Sequence, residues 1–337
     1  MKPTDFARYL SDFLTVYLSG QKNASKNTIL SYRDTFKLLL KYCRDIENIK
    51  PEKITLEILS SNLVADFLNW LEKDRKCSVS TRNQRLAAIH SFFRYVQGEM
   101  PSGIYYFQKV MAIPIKKTEK PTVEHLSPDA IKLLLKQPDS NIAKGRRDLT
   151  LMSVLYDTGA RVQELIDIKI CDVILEPPAV IILTGKGHKV RRVPILKNTV
   201  TLLQSYISDN NLNAQWKNQY PLFTNNMHNK LTKEGVAYII SKYVKTARQY
   251  STIVPERVRP HMFRHSKAMH LLQAGVNLIY IRDFLGHVDI RTTEIYASAD
   301  TETKRKAIEN AYPEIIENDL PEWNRDPELL SWLSNLK

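Results

Sequence analysis

Residues 180–195 read Val180-Ile-Ile-Leu-Thr-Gly-Lys-Gly-His-Lys-Val-Arg-Arg-Val-Pro-Ile195, and this stretch sets the fold class. A run of Val180, Ile181, Ile182 and Leu183 stops at Gly185-Lys186-Gly187 and is answered by Val190, Val193 and Ile195. Extended residues on either side of a glycine turn predict a β-hairpin with Lys186 at its tip. On both flanks the apolar spacing returns to three and four. That periodicity predicts helices at 128–137 and 144–157 before the hairpin, and at 200–207, 233–250, 261–273 and 278–286 after it. The second half is therefore mainly helical with a small sheet.

The N-terminal part is helical throughout. Phe6, Tyr9, Leu10, Phe13, Leu14, Tyr17 and Leu18 form one apolar stripe. Ser25 or Asn27 is placed to cap a helix carrying Ile29, Tyr32, Phe36, Leu39 and Leu40, and Ser80 to cap another carrying Leu86, Ile89, Phe92, Phe93 and Val96 and ending at Gly98. Between the halves, Pro114 and Pro121 with Lys116, Lys117 and Lys120 neither pack nor continue a helix. The expected division is a helical domain at 1–112, a linker at 113–127, a second domain at 128–312 and an acidic tail at 313–337. The tail closes on Leu329, Leu330, Trp332, Leu333 and Leu336, an amphipathic helix at 327–337 too short to stand without a docking surface.

Composition narrows the function. The 337 residues carry 49 Lys and Arg against 36 Asp and Glu, a formal charge of +13, so polyanions are attracted and nucleic acid leads them. The apolar share of 43% excludes a disordered chain. Cys43, Cys77 and Cys171 are scattered, with no zinc spacing, and read as reduced thiols. Neither a secretory signal nor an apolar window of about 20 residues occurs, which predicts a soluble, intracellular protein. Walker loops and dinucleotide glycine fingerprints are absent.

Four segments carry groups suited to chemistry: Thr158–Leu165, Thr184–Lys189, His261–His265 and Leu285–Tyr296. On a helix, His261 and Arg264 share a face and can converge on one phosphate. Arg161 follows a glycine that ends a helix, and Lys186 tops the hairpin. Singly, each has a plainer reading: a surface arginine, a solvated lysine, a packed histidine or a half-buried tyrosine.

Jointly, their order and spacing resemble the tyrosine recombinases, the family of phage and transposon integrases and the Xer resolvases. That family's set is an Arg, an acidic residue three later, a hairpin Lys, His-x-x-Arg, a His or Trp, and a Tyr nine residues on. Here it reads Arg161, Glu164, Lys186, His261 with Arg264, His287 and Tyr296. The resemblance is strong over about 120–300 and looser at Asn27–Arg33 and Ser80–Leu86. Gln163 stands where Ser is common, and Met262-Phe263 replaces Asp-Leu, without loss of a functional group.

The resemblance implies a helical, SAM-like core-binding domain followed by a mixed α/β catalytic domain. It implies site-specific cleavage and rejoining of DNA through a 3′-phosphotyrosine and a Holliday junction. Arg161 and Arg264 would hold the phosphate, Lys186 would protonate the 5′ oxygen, His261 would assist proton transfer, His287 would hold the phosphate by a hydrogen bond, Tyr296 would attack and Glu164 would orient its neighbours. Neither cofactor nor metal is expected, since two arginines and a lysine supply the positive charge. Partners expected are duplex recombination sites, a synaptic tetramer with the 327–337 helix docking in trans, and accessory DNA-bending or directionality proteins. Lys116, Lys117, Lys120, Arg82, Arg85, Lys242 and Arg259 are candidates for DNA contact, with both domains gripping the duplex. A mobile-element integrase or transposase in the bacterial cytoplasm, on the nucleoid, is the favoured role. The alternatives are an Xer dimer resolvase, a type IB topoisomerase, and a non-catalytic DNA-binding protein on the same scaffold.

Overall fold

A computed structural model describes residues 3–118, 123–185, 187–287, 289–299, 331 and 333–335. They fall into two compact units, Met1–Pro121 and Thr122–Lys337. Among the described residues, no helix is long and apolar enough to cross a membrane.

In the first unit, α1 (Asp5–Asp12) runs into a wider π-helical stretch, Phe13–Gln21. There follow α2 (Lys26–Asp45), α3 (Ser61–Lys73), α4 (Val79–Glu99) and α5 (Ile104–Met111). The hydroxyls of Thr4, Ser25, Ser60 and Ser78 accept the N–H of Ala7, Thr28, Leu63 and Thr81, which satisfies donors the helices leave open. The cap of α4 is thus Ser78, not the expected Ser80. Its Oγ lies 3.2 Å from the Thr81 N–H and 3.0 Å from Thr81 Oγ1, so the helix begins two residues earlier. Phe92 centres the core, with the rings of Phe6, Phe13 and Phe36 edge-on at 5.7, 5.5 and 5.1 Å, the geometry ring quadrupoles favour.

Arg82 and Arg85 are engaged inside this unit. Arg82, only 5% exposed, donates Nη1 to the Pro114 carbonyl at 3.0 Å and to Asn83 Oδ1 at 3.1 Å. Arg85 donates Nη1 to the Ser31 carbonyl at 3.0 Å and Thr35 Oγ1 at 3.1 Å. Both guanidinium groups thereby fasten α4 to its neighbours.

The ends of the expected 113–127 linker pack with the units: Ile113 against the first core and Leu126 within the second. The Leu126 N–H donates to Ser266 Oγ at 2.8 Å. The second unit contains α6 (Pro128–Leu135), α7 (Ala143–Thr158), α8 (Val162–Asp167), α9 (Lys197–Asp209), α10 (Lys233–Arg248), α11 (Pro260–Gln273), α12 (Leu278–Leu285) and α13 (Arg291–Ala299). Between α8 and α9, β2 (Val180–Thr184) and β3 (Val190–Pro194) make the expected hairpin, with Ile182 opposite Arg192. A two-residue strand, β1 (Val173–Ile174), adds a third antiparallel member through Val173 opposite Ile181. Ile181, Leu183 and Val193 point into the core, the alternation a one-sided sheet requires. The architecture is therefore mainly α with a small sheet.

Lys120 and Lys186 lie outside the described residues. So does the 313–337 tail, apart from residues 331 and 333–335, which are helical and exposed.

Candidate active site

The site begins where α7 stops. Gly159 has φ +56, and a Cβ there would sit 2.9 Å from Leu285 Cδ2, so the left-handed turn requires glycine. This turn places Arg161 at the start of α8 with its side chain 36% exposed. Glu164 folds back on it, accepting the Arg161 backbone N–H at 2.9 Å and Nη1 at 2.7 Å. From β3, Arg191 reaches the same carboxylate with Nη1 at 3.2 Å and Nη2 at 2.8 Å. Its Nε donates to the Phe284 carbonyl at 3.0 Å. Burial pushes the Glu164 carboxyl up, but the hydrogen bonds from Arg191 and Arg161 overcome it and hold its pKa at about 2.

Arg264, on α11, is 1% exposed. It donates Nη1 to the Gly159 carbonyl and Nη2 to the Leu285 carbonyl, each at 2.7 Å. It therefore ties the Arg161 turn to the end of α12. Both partners are neutral, and burial followed by repulsion from Arg161 brings its pKa down to about 9. His261 sits one turn earlier, its pKa lowered by burial and then by Arg264 and Arg161.

After α12 the chain turns at Gly286, φ +66, where a Cβ would lie 3.0 Å from Arg191 Cδ and Nη1. Glycine here lets Arg191 pass. His287 follows, its Nδ1 2.9 Å from Thr293 Oγ1. Burial, then Arg264, Arg161, Arg191 and His261, push its pKa down to about 3, which keeps it neutral. The Tyr296 ring lies nearly parallel to His287, 9° apart with centroids at 6.4 Å. Its side chain is 1% exposed, and its hydroxyl lies 2.9 Å from His265 Nδ1. Burial raises the phenol's pKa, while Arg264 and Arg161 oppose the rise.

Beside these groups opens a cleft of 540 Å³, bordered by Arg161, Gly185, Lys189, Arg191, Gly286 and His287. Its charge is largely positive, which suits a phosphate. Six of the seven expected residues are brought together around it: Arg161 and His287 border the cleft, and Glu164, His261, Arg264 and Tyr296 lie behind them through the contacts above. Lys186 lies outside the described residues, although Gly185 and Lys189 on its hairpin border the cleft. Arg191 and His265 escaped the reading of the sequence. His265 directly follows Arg264 in a segment singled out for chemistry, and Arg191 lies five residues past Lys186. Nothing in spacing alone separates them from ordinary surface cations.

Of the other candidates for DNA contact, those in the second unit, Lys242 and Arg259, do not border this cleft. Lys116 pairs with Glu72, and Lys117 is exposed. Lys242 lies over the Tyr243 ring at 4.5 Å. Arg259, exposed, precedes α11 beside Arg257 and His125.

Residues 124–303 match the Phage integrase family, and residues 11–99 match the phage integrase N-terminal SAM-like domain. The chain belongs to the phage integrase family of tyrosine recombinases. This recombinase is 34% identical over 336 residues to the integrase/recombinase y4rC of Sinorhizobium fredii, spanning 99% of both chains. It is 30% identical over 313 residues to the tyrosine recombinase XerD of Rickettsia bellii, spanning 89% of this chain and 97% of the relative. Its fold is that of the XerH site-specific recombinase bound to palindromic difH substrate, with TM-score 0.69 and 21% identity over 88% of this chain and 84% of that one. It is also that of the Tn1549 transposon integrase in complex with transposon right end DNA, with TM-score 0.68 and 18% identity over 90% and 98%. The protein is thus an enzyme of site-specific DNA recombination.

Proposed function

We propose that Tyr296 attacks a DNA phosphodiester held by Arg161 and Arg264, forming a 3′-phosphotyrosine and releasing a 5′ hydroxyl. What carries this reading is the pair of hydrogen bonds that Arg264 donates to the Gly159 and Leu285 carbonyls, each at 2.7 Å. It holds the turn bearing Arg161 against the segment leading to His287 and Tyr296, which are distant in sequence. Preorganised donors of this kind are worth roughly 10²–10³ in rate apiece. Glu164 is a positioning residue that fixes Arg161 and Arg191. Lys186 gives its ammonium proton to the departing O5′, and His287 donates a hydrogen bond to the phosphate.

The phosphotyrosine retains the energy of the broken bond. A 5′ hydroxyl from a second duplex attacks it, exchanging strands through a Holliday junction without ATP. Two duplexes and four protomers make the synapse, joined by the 327–337 helix docking in trans, with accessory DNA-bending or directionality proteins setting direction. The full-length likeness to y4rC supports integration and excision of a mobile element in the bacterial cytoplasm. The likeness to XerD supports dimer resolution as the second reading.

The test is a nicked suicide duplex carrying the element's own ends. The wild-type chain forms a covalent protein–DNA adduct and Tyr296→Phe forms none while binding the duplex equally well. An adduct that survives this substitution ends the assignment.

A further inference from the structure

The set of groups that hold and cleave the phosphate leaves one buried contact without a role. Among the described residues, the hydrogen-bond partner of the Tyr296 hydroxyl is His265 Nδ1, at 2.9 Å, with the two rings tilted by 59° and 5.6 Å apart. His261, the histidine expected to help move protons, instead meets His265 edge-on at 4.6 Å. We propose that His265, not His261, takes the phenolic proton of Tyr296 as the tyrosine attacks. This rests on the recombinase reading above and specifies its proton acceptor.

The step balances. The step uses the tautomer in which the neutral imidazole carries its hydrogen on Nε2 and Nδ1 accepts from the Tyr296 hydroxyl. As the Oη–phosphorus bond forms and the phosphorus–O5′ bond breaks, the phenolic proton moves to Nδ1 and leaves an imidazolium. O5′ takes its proton from Lys186. In rejoining, the incoming 5′ hydroxyl returns a proton to the Lys186 amine, and the departing phenolate recovers its own from His265. No co-reactant is needed.

The surroundings keep this imidazole ready to accept. His261 and Arg264 face it from α11, His125 from the segment before α6 and Tyr296 from α13. Burial, then His261, Arg264 and His125, lower its pKa to about 4, so that it is neutral near pH 7. A bound phosphodiester adds negative charge beside Arg264 and so raises the basicity of His265 when substrate is present. Its place one residue after Arg264 puts the proton acceptor on the same helical turn as the phosphate-holding guanidinium.

The experiment compares single-turnover adduct formation, from pH 6 to pH 9, on a nicked suicide duplex built on the sequence that the Tyr296→Phe chain enriches from random duplex DNA. The variants are His265→Ala, His265→Asn and His261→Ala. Asparagine places Oδ1 near the position of Nδ1, so it accepts the hydrogen bond but not the proton. Expected at pH 7 is a loss of about 100-fold for both His265 variants, with duplex binding retained. Their rates should then climb about tenfold per pH unit as phenolate replaces the missing base, while the wild type and His261→Ala stay flat. Wild-type speed in His265→Asn, a deficit constant with pH, or acceleration in His265→Ala would each overturn the proposal. Acceleration would mean that the bond restrains the phenol instead of activating it. A nitrogen-15 histidine spectrum of the DNA-free chain gives a check independent of how the variants fold. Tyr296→Phe must shift the Nδ1 resonance of His265, and an unmoved resonance refutes the contact. If the wild type forms no adduct that Tyr296→Phe abolishes, the recombinase reading itself falls and takes the proposal with it.

Discussion

Glu164→Gln is the substitution whose cost the geometry fixes best. Four hydrogen bonds, at 2.7–3.2 Å, converge on this carboxylate from Arg161 and Arg191, and its side chain is only 4% exposed, so solvent screens little. A pKa lowered from 4.5 to about 2 corresponds, at about 1.36 kcal/mol per pH unit, to roughly 3 kcal/mol of stability. Glutamine keeps the volume but removes the charge and turns amide hydrogens toward guanidinium donors. Breaking one partner of a buried pair costs about 3–5 kcal/mol, in agreement. The sign follows from the direction: the folded value lies below the unfolded one, so the contribution is whole above pH 4.5 and disappears as pH falls toward 2. Urea unfolding should show the variant about 3 kcal/mol less stable at pH 7, and the gap should shrink below pH 4.5. Adduct formation should fall as well, because Arg161 loses its restraint. A gap under about 1 kcal/mol at pH 7, or one that does not narrow with acid, would refute the reasoning.

The basic residues divide into two classes by their engagement. Arg82→Ala and Arg85→Ala should cost about 1–3 kcal/mol of stability in urea unfolding, because each strips hydrogen bonds inside the first unit. Neither should alter the salt dependence of duplex binding, whereas Lys242→Ala and Arg259→Ala should each lower the slope of log affinity against log salt by about 1. Glycine positions divide as well. Gly286→Ala meets a left-handed backbone and Arg191 at 3.0 Å, and should lose about 1–2 kcal/mol and slow adduct formation. Gly98→Ala, on the exposed side of α4 with nothing within 4 Å, should raise Tm by stabilising the helix by about 0.5–1 kcal/mol.

Elements announced by local physics were legible in the sequence. The β2–β3 hairpin declares itself through a β-branched run and its glycine turn, and α2 through its apolar period, with the structure choosing Ser25 over Asn27 as its cap. Two-residue β1 was not legible, because Val173–Ile174 is too short to show a period and is extended only because Ile181 offers its edge. The start of α4 was misplaced because Ser78 and Ser80 are both hydroxyl caps, and which one serves depends on the position of the Thr81 N–H. In the site, Arg161, His261, Arg264, His287 and Tyr296 were named from their order. Arg191 and His265 were not, since their roles arise from contacts across 27 and 31 residues to Glu164 and Tyr296. Arg82 and Arg85 show the converse: the sequence makes them candidates for DNA contact and gives no sign of the hydrogen bonds they make inside the first unit.

The charge balance of the site connects these points. Arg161, Arg191 and Arg264 face one buried carboxylate, Glu164, which is already shared by Arg161 and Arg191, while Asp283 at the cleft's edge pairs with Arg282. Arg264 has only carbonyl dipoles as hydrogen-bond partners, and burial followed by repulsion from Arg161 brings its pKa down to about 9. His265 and His287, held neutral at about 4 and 3, relieve part of the repulsion by not adding charge. A phosphodiester arriving between Arg161 and Arg264 would supply the missing anion, stabilise both guanidinium groups and make the nearby imidazoles more basic at once. Substrate binding and the readiness of the phenol's acceptor are then one electrostatic event, and the same imbalance that weakens the free site makes it selective for an anion.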